Sequence, residues 1–192
     1  MSENPLIQKA KGIAERALLP LALLTAILAV LAQANPALHV PSRDSGFFMY
    51  AADLALKGRH LYVDVWDSKG PFIFFLNMLG LLLGSGNPWG VWLLEFAMLS
   101  GSIAILTTLA RKATGLLPAL LGAAAGLWLL NSTFSGGNLT EEYSMFFSLL
   151  ALWLFLRPAI SARGHFLKGV AIGACAGVIL FMRPNNLGIM VS

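Results

Sequence analysis

Cysteine is nearly absent from this sequence: Cys175 stands alone among 192 residues, so neither a disulfide framework nor a cysteine metal cluster can be built. Its setting in the apolar run GVAIGACAGVILFM reads as a small packing residue between helices. Histidine is scarce as well. His39, His60 and His165 are widely separated and show no ligand spacing such as H-x-x-x-H, so no metal is assigned to them. Charge is the third shortage. Lys, Arg, Asp and Glu make up 11% of the chain against 57% hydrophobic residues, and a mean hydropathy of +0.75 excludes an ordinary soluble domain. A pI near 9.5 would suit nucleic acid, but the thirteen Lys and Arg are scattered between hydrophobic stretches. No basic face forms, and nucleic acid is not an expected partner. Internal repeats and low-complexity tracts are missing too.

What the chain does have is long apolar runs. Spans at about 17–34, 88–110, 115–131, 143–157 and 168–183 approach the ~20 residues a helix needs to cross ~30 Å of hydrocarbon. A helix seals its own backbone polar groups, which lipid demands. The first run is read as a retained anchor, since no convincing cleavage pattern follows it. Another run begins at 187 and is cut short at 192, so we expect the N-terminal part of a longer polytopic protein. The expected fold is all-α: one polytopic transmembrane helical bundle with an outer loop over 36–87.

Within that loop, the apolar segment 71–84 would reach only ~21 Å as a helix, so it is either a re-entrant or juxtamembrane helix or a short span. Charge separates these readings. If 71–84 does not cross and the N-terminus is cytoplasmic, eight basic residues lie inside (Lys9, Lys11, Arg16, Arg111, Lys112, Arg157, Arg163, Lys168) and five outside (Arg43, Lys57, Arg59, Lys69, Arg183). If it crosses, only four remain inside and nine fall outside. The positive-inside rule favours the first arrangement. It also brings RDSGFFMY, GGNLTEEYS and RPNN to one face. Ionisable groups beside hydrocarbon are expensive and tend to be kept for function or pairing.

Phe47, Tyr50, Ala51 and Leu54 recur at i, i+3, i+4 and i+7. That spacing predicts an amphipathic helix lying on the membrane with Asp53 and Lys57 toward water, stopped at Gly58. LYVDVWDSKGP then reads as an extended or turning segment, with Tyr62 and Trp66 suited to the interfacial belt.

Four stretches, PSRDSGFFMYAADLALKGRHLYVDVWDSKGPF, GVWLLEFAML, GGNLTEEYSMFF and FMRPNN, resemble successive motifs of bacterial integral-membrane glycosyltransferases of the GT-C superfamily. The relatives in question are polyprenyl-phosphate-sugar-dependent protein mannosyltransferases and the aminoarabinose transferases that modify lipid A. The resemblance covers most of residues 15–190 and implies a GT-C-like bundle with juxtamembrane helices in the first outer loop. It further implies an inverting enzyme of the bacterial cytoplasmic (inner) membrane, with its site on the extracytoplasmic side. Such an enzyme would transfer a sugar from a polyprenyl-phosphate donor to a lipid, glycan or protein acceptor. A polytopic transporter or lipid flippase subunit is the alternative from another class.

Glycosyl transfer from a lipid phosphate needs a base for the acceptor hydroxyl, compensation for phosphate charge and room for an isoprenoid tail. Asp44 matches the family's catalytic acid; on residues alone, pairing with Arg43 or capping the helix that begins near Gly46 is equally open to it. Lys69 fits the phosphate partner, or a snorkelling interfacial lysine. Arg183 and Arg43 are further candidate cations. Glu141 and Glu142 either bind substrate, hold a divalent cation (Mg or Mn) with Asp44 as third ligand, or place negative charge at a helix start. Asp64, Asp67 and Tyr62 are expected to shape the loop or touch substrate. No metal ligand is assigned, and membrane lipids and the donor are the expected partners.

Overall fold

Within the described residues each apolar run forms a helix, and glycine sets where some of them stop. The computed structural model describes residues 21–133 and 137–187; these residues contain helices and no strand, with one isolated bridge joining Leu61 and Val65. Lys9, Lys11, Arg16, the start of the first span at 17–20 and the run beyond Leu187 lie outside the described residues. The helices are α1 (Leu21–Ala34, closing in a 3-10 turn), α2 (Arg43–Leu56), α3 (Phe72–Leu83), α4 (Trp89–Thr114), α5 (Leu116–Thr133), α6 (Thr140–Leu156) and α7 (Ala162–Leu180), with a 3-10 turn at Pro184–Leu187. Gly58 ends α2 in the left-handed region at φ 86°, where only glycine sits without strain. Gly115, at φ 85°, does the same between α4 and α5.

α4 is the central helix. It packs against α3, α5 and α6, while α6 holds α7 and α2 lies on α3. One apolar core joins α1, α4 and α5 through Ile27, Leu31, Leu99, Ile103, Ala123 and Leu127. A second joins α2, α3 and α6 through Phe48, Ala51, Ile73, Phe74 and Tyr143, with Met182 closing it from beyond α7. α4, α5 and α7 are each long and apolar enough to cross a membrane. Leu121, Trp128, Phe155 and Phe166 face outward, an exterior suited to lipid.

Hydrogen bonds between helix ends define one end of the bundle. The Trp92 indole N–H donates to the Leu31 carbonyl at 3.1 Å, joining the start of α4 to the end of α1. Gln33 donates to the Asn131 side chain at 3.1 Å, bringing in the end of α5. At the same end, the N–H groups of Gly70 and Phe72 donate to the carbonyls of Met182 and Phe181, both at 3.1 Å, just past α7. α3 therefore starts beside the end of α7. It touches the loop before α6 through Asn77 and finishes against the start of α4, where Gly80 meets Val91. With 12 residues, or ~18 Å of rise, it lies between the end of α7 and the start of α4.

The buried face of α2 differs from the spacing-based expectation. Ser45, Phe48, Ala51 and Ala52 are buried, while Tyr50 is exposed. α3 covers a face turned by about one residue from the one assigned to lipid, which leaves Tyr50 outward-facing and Phe47 and Leu54 half-buried. Asp53 and Lys57 do face outward, paired at 2.6 Å.

At Gly70 an added Cβ would overlap the Phe181 carbonyl. Gly70→Ala is expected to lower stability by about 1–3 kcal/mol, the usual range for overpacking, read as a lower thermal midpoint in detergent. Gly169→Ala, where a Cβ meets open space, is the control and should leave the midpoint unchanged or raised.

Candidate functional site

The loop from Lys57 to Pro71 is shaped by its own polar side chains. The Asp64 carboxylate accepts the His60 N–H at 2.8 Å. Asp67 accepts the Lys69 N–H at 3.2 Å and the Ser68 hydroxyl at 3.3 Å. Tyr62, at φ 67°, donates its hydroxyl to the Lys69 carbonyl at 2.7 Å. These contacts fix the backbone on both sides of Lys69. The His60 amide, followed by the nearby Arg59 charge, holds the Asp64 carboxyl below its usual range. Partial burial and the neighbouring Asp67 charge raise the Tyr62 hydroxyl.

So positioned, the Lys69 ammonium donates to Asp44 Oδ2 at 3.4 Å and lies 5.0 Å from the centre of the Phe48 ring. Asp44 occupies the first turn of α2 with its side chain 52% exposed, whereas that of Lys69 is 20% exposed. In the same cavity, Arg183 forms an ion pair with Glu141. Both pairs line one open cavity of about 550 Å³, together with Arg43, Ser42, Phe48, Leu139, Thr140 and Thr133. Asp44, Lys69, Arg43, Glu141 and Arg183 thus converge from α2, the loop before α3, α6 and the segment after α7. Thr133 also borders a largely apolar groove of about 300 Å³ between α4, α5 and α6, lined by Ile103, Leu106, Leu129, Leu130, Met145 and Leu149.

Glu142 does not join them. It is buried beneath the cavity, because neighbouring residues on an α-helix point ~100° apart. Asp44 and Glu141 line the cavity and Glu142 does not, so of the readings open to these carboxylates a cation shared by all three is not supported by their placement. Among the described residues, no group of three or more His, Cys, Asp or Glu is arranged to hold a metal ion. Asp64 and Asp67 also stay in the loop backbone and do not line the cavity.

Beneath the cavity lies a polar cluster that sequence reasoning missed. Asn138, fully buried, donates to Asn77 Oδ1 at 2.8 Å and to the Ser45 hydroxyl at 3.2 Å. Its own Oδ1 accepts from Asn77 at 3.1 Å and from the Tyr143 hydroxyl at 3.1 Å. Asn186 adds a bond to Ser144 at 2.9 Å. The available signal was a lone amide in an apolar run, FIFFLNMLGLLL, which an apolar setting tolerates only when it is paired.

Comparison with family models, with curated proteins and with solved structures finds no match for this chain.

Replacing Asn138 by Leu strands Asn77, Ser45 and Tyr143 at once. At about 1–3 kcal/mol for each buried group left unpaired, it is expected to unfold the cavity or cut the thermal midpoint far more than Gln33→Leu at the rim. The loop carries a pH signature. Because its carboxyl is held low, the Asp64 cap is complete above the ordinary Asp value of ~3.9 and is lost as pH falls through its lower folded value. The protection of the His60 amide hydrogen, its exchange rate compared with that of an unstructured peptide at the same pH, should therefore fall on acidification through that value, and should lose that dependence in Asp64→Asn.

Proposed function

We propose that this chain carries the reacting pocket of a membrane glycosyltransferase, which moves a sugar from a polyprenyl-phosphate donor to an acceptor hydroxyl. The observation that supports this best is the pairing of Asp44 with Lys69 and of Glu141 with Arg183 around one cavity, with an apolar groove leading away at Thr133. A lipid phosphate sugar has the same plan: a polar head, an anionic joint and a long apolar tail.

On this reading the donor phosphate takes the Lys69 ammonium from Asp44 and draws on Arg183, with Arg43 nearby. The freed Asp44 carboxylate accepts the proton of the acceptor hydroxyl as its oxygen bonds to the anomeric carbon. The bond from that carbon to the phosphate oxygen breaks, and its electron pair leaves with the phosphate, held by the two cations. Glu141 keeps Arg183 oriented until the donor arrives. The inverting outcome, the bacterial cytoplasmic membrane and the extracytoplasmic face rest on the motif resemblance. A transporter or flippase places its binding residues midway along broken helices; here the charges sit at one end of the bundle, beside α3, which favours the transferase.

In membranes carrying the full-length protein and supplied with a polyprenyl-phosphate sugar, Asp44→Asn should lower sugar release by about 10²–10⁴-fold. Equal turnover would remove Asp44 from the chemistry and with it this mechanism. Sidedness has its own test. With Cys175 replaced by serine, a cysteine at Val63, which is 81% exposed, should react with an impermeant maleimide in intact cells. A cysteine at Arg163, beyond the far end of α6, should react only after permeabilisation; the reverse pattern would turn the pocket toward the cytoplasm.

A further inference from the structure

Charge is divided unevenly between the two ends of the bundle. No Asp or Glu occurs from Phe96 to Thr140 or after Glu142, so every described carboxylate belongs to α2, the loop after it, the first two turns of α4 or the first turn of α6. All of these lie at the pocket end. The opposite end carries Arg111 and Lys112 at the close of α4, Arg157 just past α6, and Arg163 and Lys168 in the first two turns of α7. α4 and α6 both start at the pocket end, and Gly101 of α4 meets the Phe146 ring of α6. Lys112 and Arg157 each stand eleven residues further along, which brings them to one level. Among the described residues, these five cations share their end with no carboxylate.

Two of the five are held in fixed positions against an apolar flank. The Lys168 ammonium donates to the carbonyls of Phe155 and Arg157 at 2.7 and 2.9 Å, which satisfies the negative end of α6. It also lies 5.5 Å from the centre of the Phe155 ring. An ammonium has three donors, and the third has no partner among the described residues. The Arg157 guanidinium lies 3.7 Å from the centre of the Trp153 ring, which fixes the cation without neutralising it. Directly beside them Phe155, Leu156 and Phe166 are 66%, 58% and 69% exposed.

Orientation in a membrane needs only cations somewhere beyond the spans. This end goes further, because its cations are anchored at the rim of an exposed apolar wall. A molecule that matches both features carries a negative head on an apolar tail. We propose that the end of α6 and the start of α7 bind an anionic phospholipid, with Arg157, Arg163 and Lys168 taking its headgroup and its acyl chains lying along Phe155 and Phe166. Arg111 and Lys112 strengthen the field from α4. A choline headgroup brings its own cation to a face with no carboxylate to receive it, so zwitterionic lipid is disfavoured. The site is independent of the transfer chemistry proposed for the pocket at the other end.

The test uses the whole protein in phosphatidylcholine vesicles doped with either phosphatidylglycerol or phosphatidylcholine that carries a nitroxide near the top of its acyl chain. The readout is quenching of Trp153, taken as the fluorescence difference between the wild type and Trp153→Phe. Half-quenching should need ~10–100-fold less labelled phosphatidylglycerol than labelled phosphatidylcholine, since each Lys or Arg near an anionic headgroup adds roughly five-fold. The double variant Arg157→Gln, Arg163→Gln should lose ~10–30-fold of that preference. Lys57→Gln with Arg59→Gln, which removes two cations from the pocket end, should leave it unchanged. Equal quenching by the two lipids overturns the proposal, as does a preference untouched in the first double variant or lost equally in the second. Displacement of the labelled lipid by inorganic phosphate, beyond that by chloride at equal ionic strength, would assign the site to free phosphate and end the lipid reading. Should the first double variant not reconstitute, Arg163→Gln alone decides: a loss of about five-fold supports the site, and no loss overturns it.

Discussion

A single buried amide holds the pocket together. Asn138 reaches Ser45 in α2, Asn77 in α3 and Tyr143 in α6, and each of these stands close in sequence to a charged residue above it. Ser45 follows Asp44, Asn77 stands in the second turn of α3, which follows the loop that presents Lys69, and Tyr143 is two residues from Glu141. Every polar atom of Asn138's side chain is used, so rotating or shifting it breaks several bonds together. In a nearly dry setting that makes the arrangement close to all-or-none. The pocket's geometry is therefore inherited from a node that never touches its interior.

The second brace is made of backbone. Gly70 and Phe72 donate to the carbonyls beyond α7, and this zipper sets Lys69 and Arg183 on the same wall. A side chain at position 70 has no room there. The first brace orders the acids and this one orders the bases. Together they let four charged side chains from distant parts of the sequence meet without any of them being deeply buried, which spares the fold the desolvation of isolated ions.

Much of this was legible before any coordinates. The apolar runs gave the helices because lipid and helix periodicity leave few alternatives, and the α2 stop at Gly58 followed from glycine's freedom at positive φ. Asp44, Lys69, Glu141 and Arg183 were each conspicuous as charges beside hydrophobic runs. Less was legible where the answer depended on a partner far along the chain. The spacing in α2 pointed to one apolar face and did not reveal that α3 packs over the neighbouring one, with Ser45, Phe48 and Ala52. Glu141 and Glu142 were grouped because they are adjacent, although on a helix adjacency separates side chains. Asn77 and Asn138 lie 61 residues apart, and only tertiary pairing reveals that each satisfies the other.

The exposure of the two ion pairs is itself informative about what the pocket can do. An exposed pair such as Glu141–Arg183 is worth about 0–1 kcal/mol, and in the other pair Asp44 is open to water although Lys69 is mostly covered, so an incoming anion meets little resistance to separating them. On the proposed reading the donor phosphodiester brings one negative charge and gains a second as its bond to the anomeric carbon breaks, so Lys69 and Arg183 together would hold the departing phosphate more strongly than the bound donor. Had Asp44 and Lys69 been buried as deeply as Asn138, breaking them apart would strand an ion and the site would be locked. Stability is stored in the neutral amide cluster and in the backbone zipper, and exchangeable charge is kept at the open surface. On the proposed function, that division would let Asp44 be released when a phosphate binds, while the scaffold that aims it stays in place.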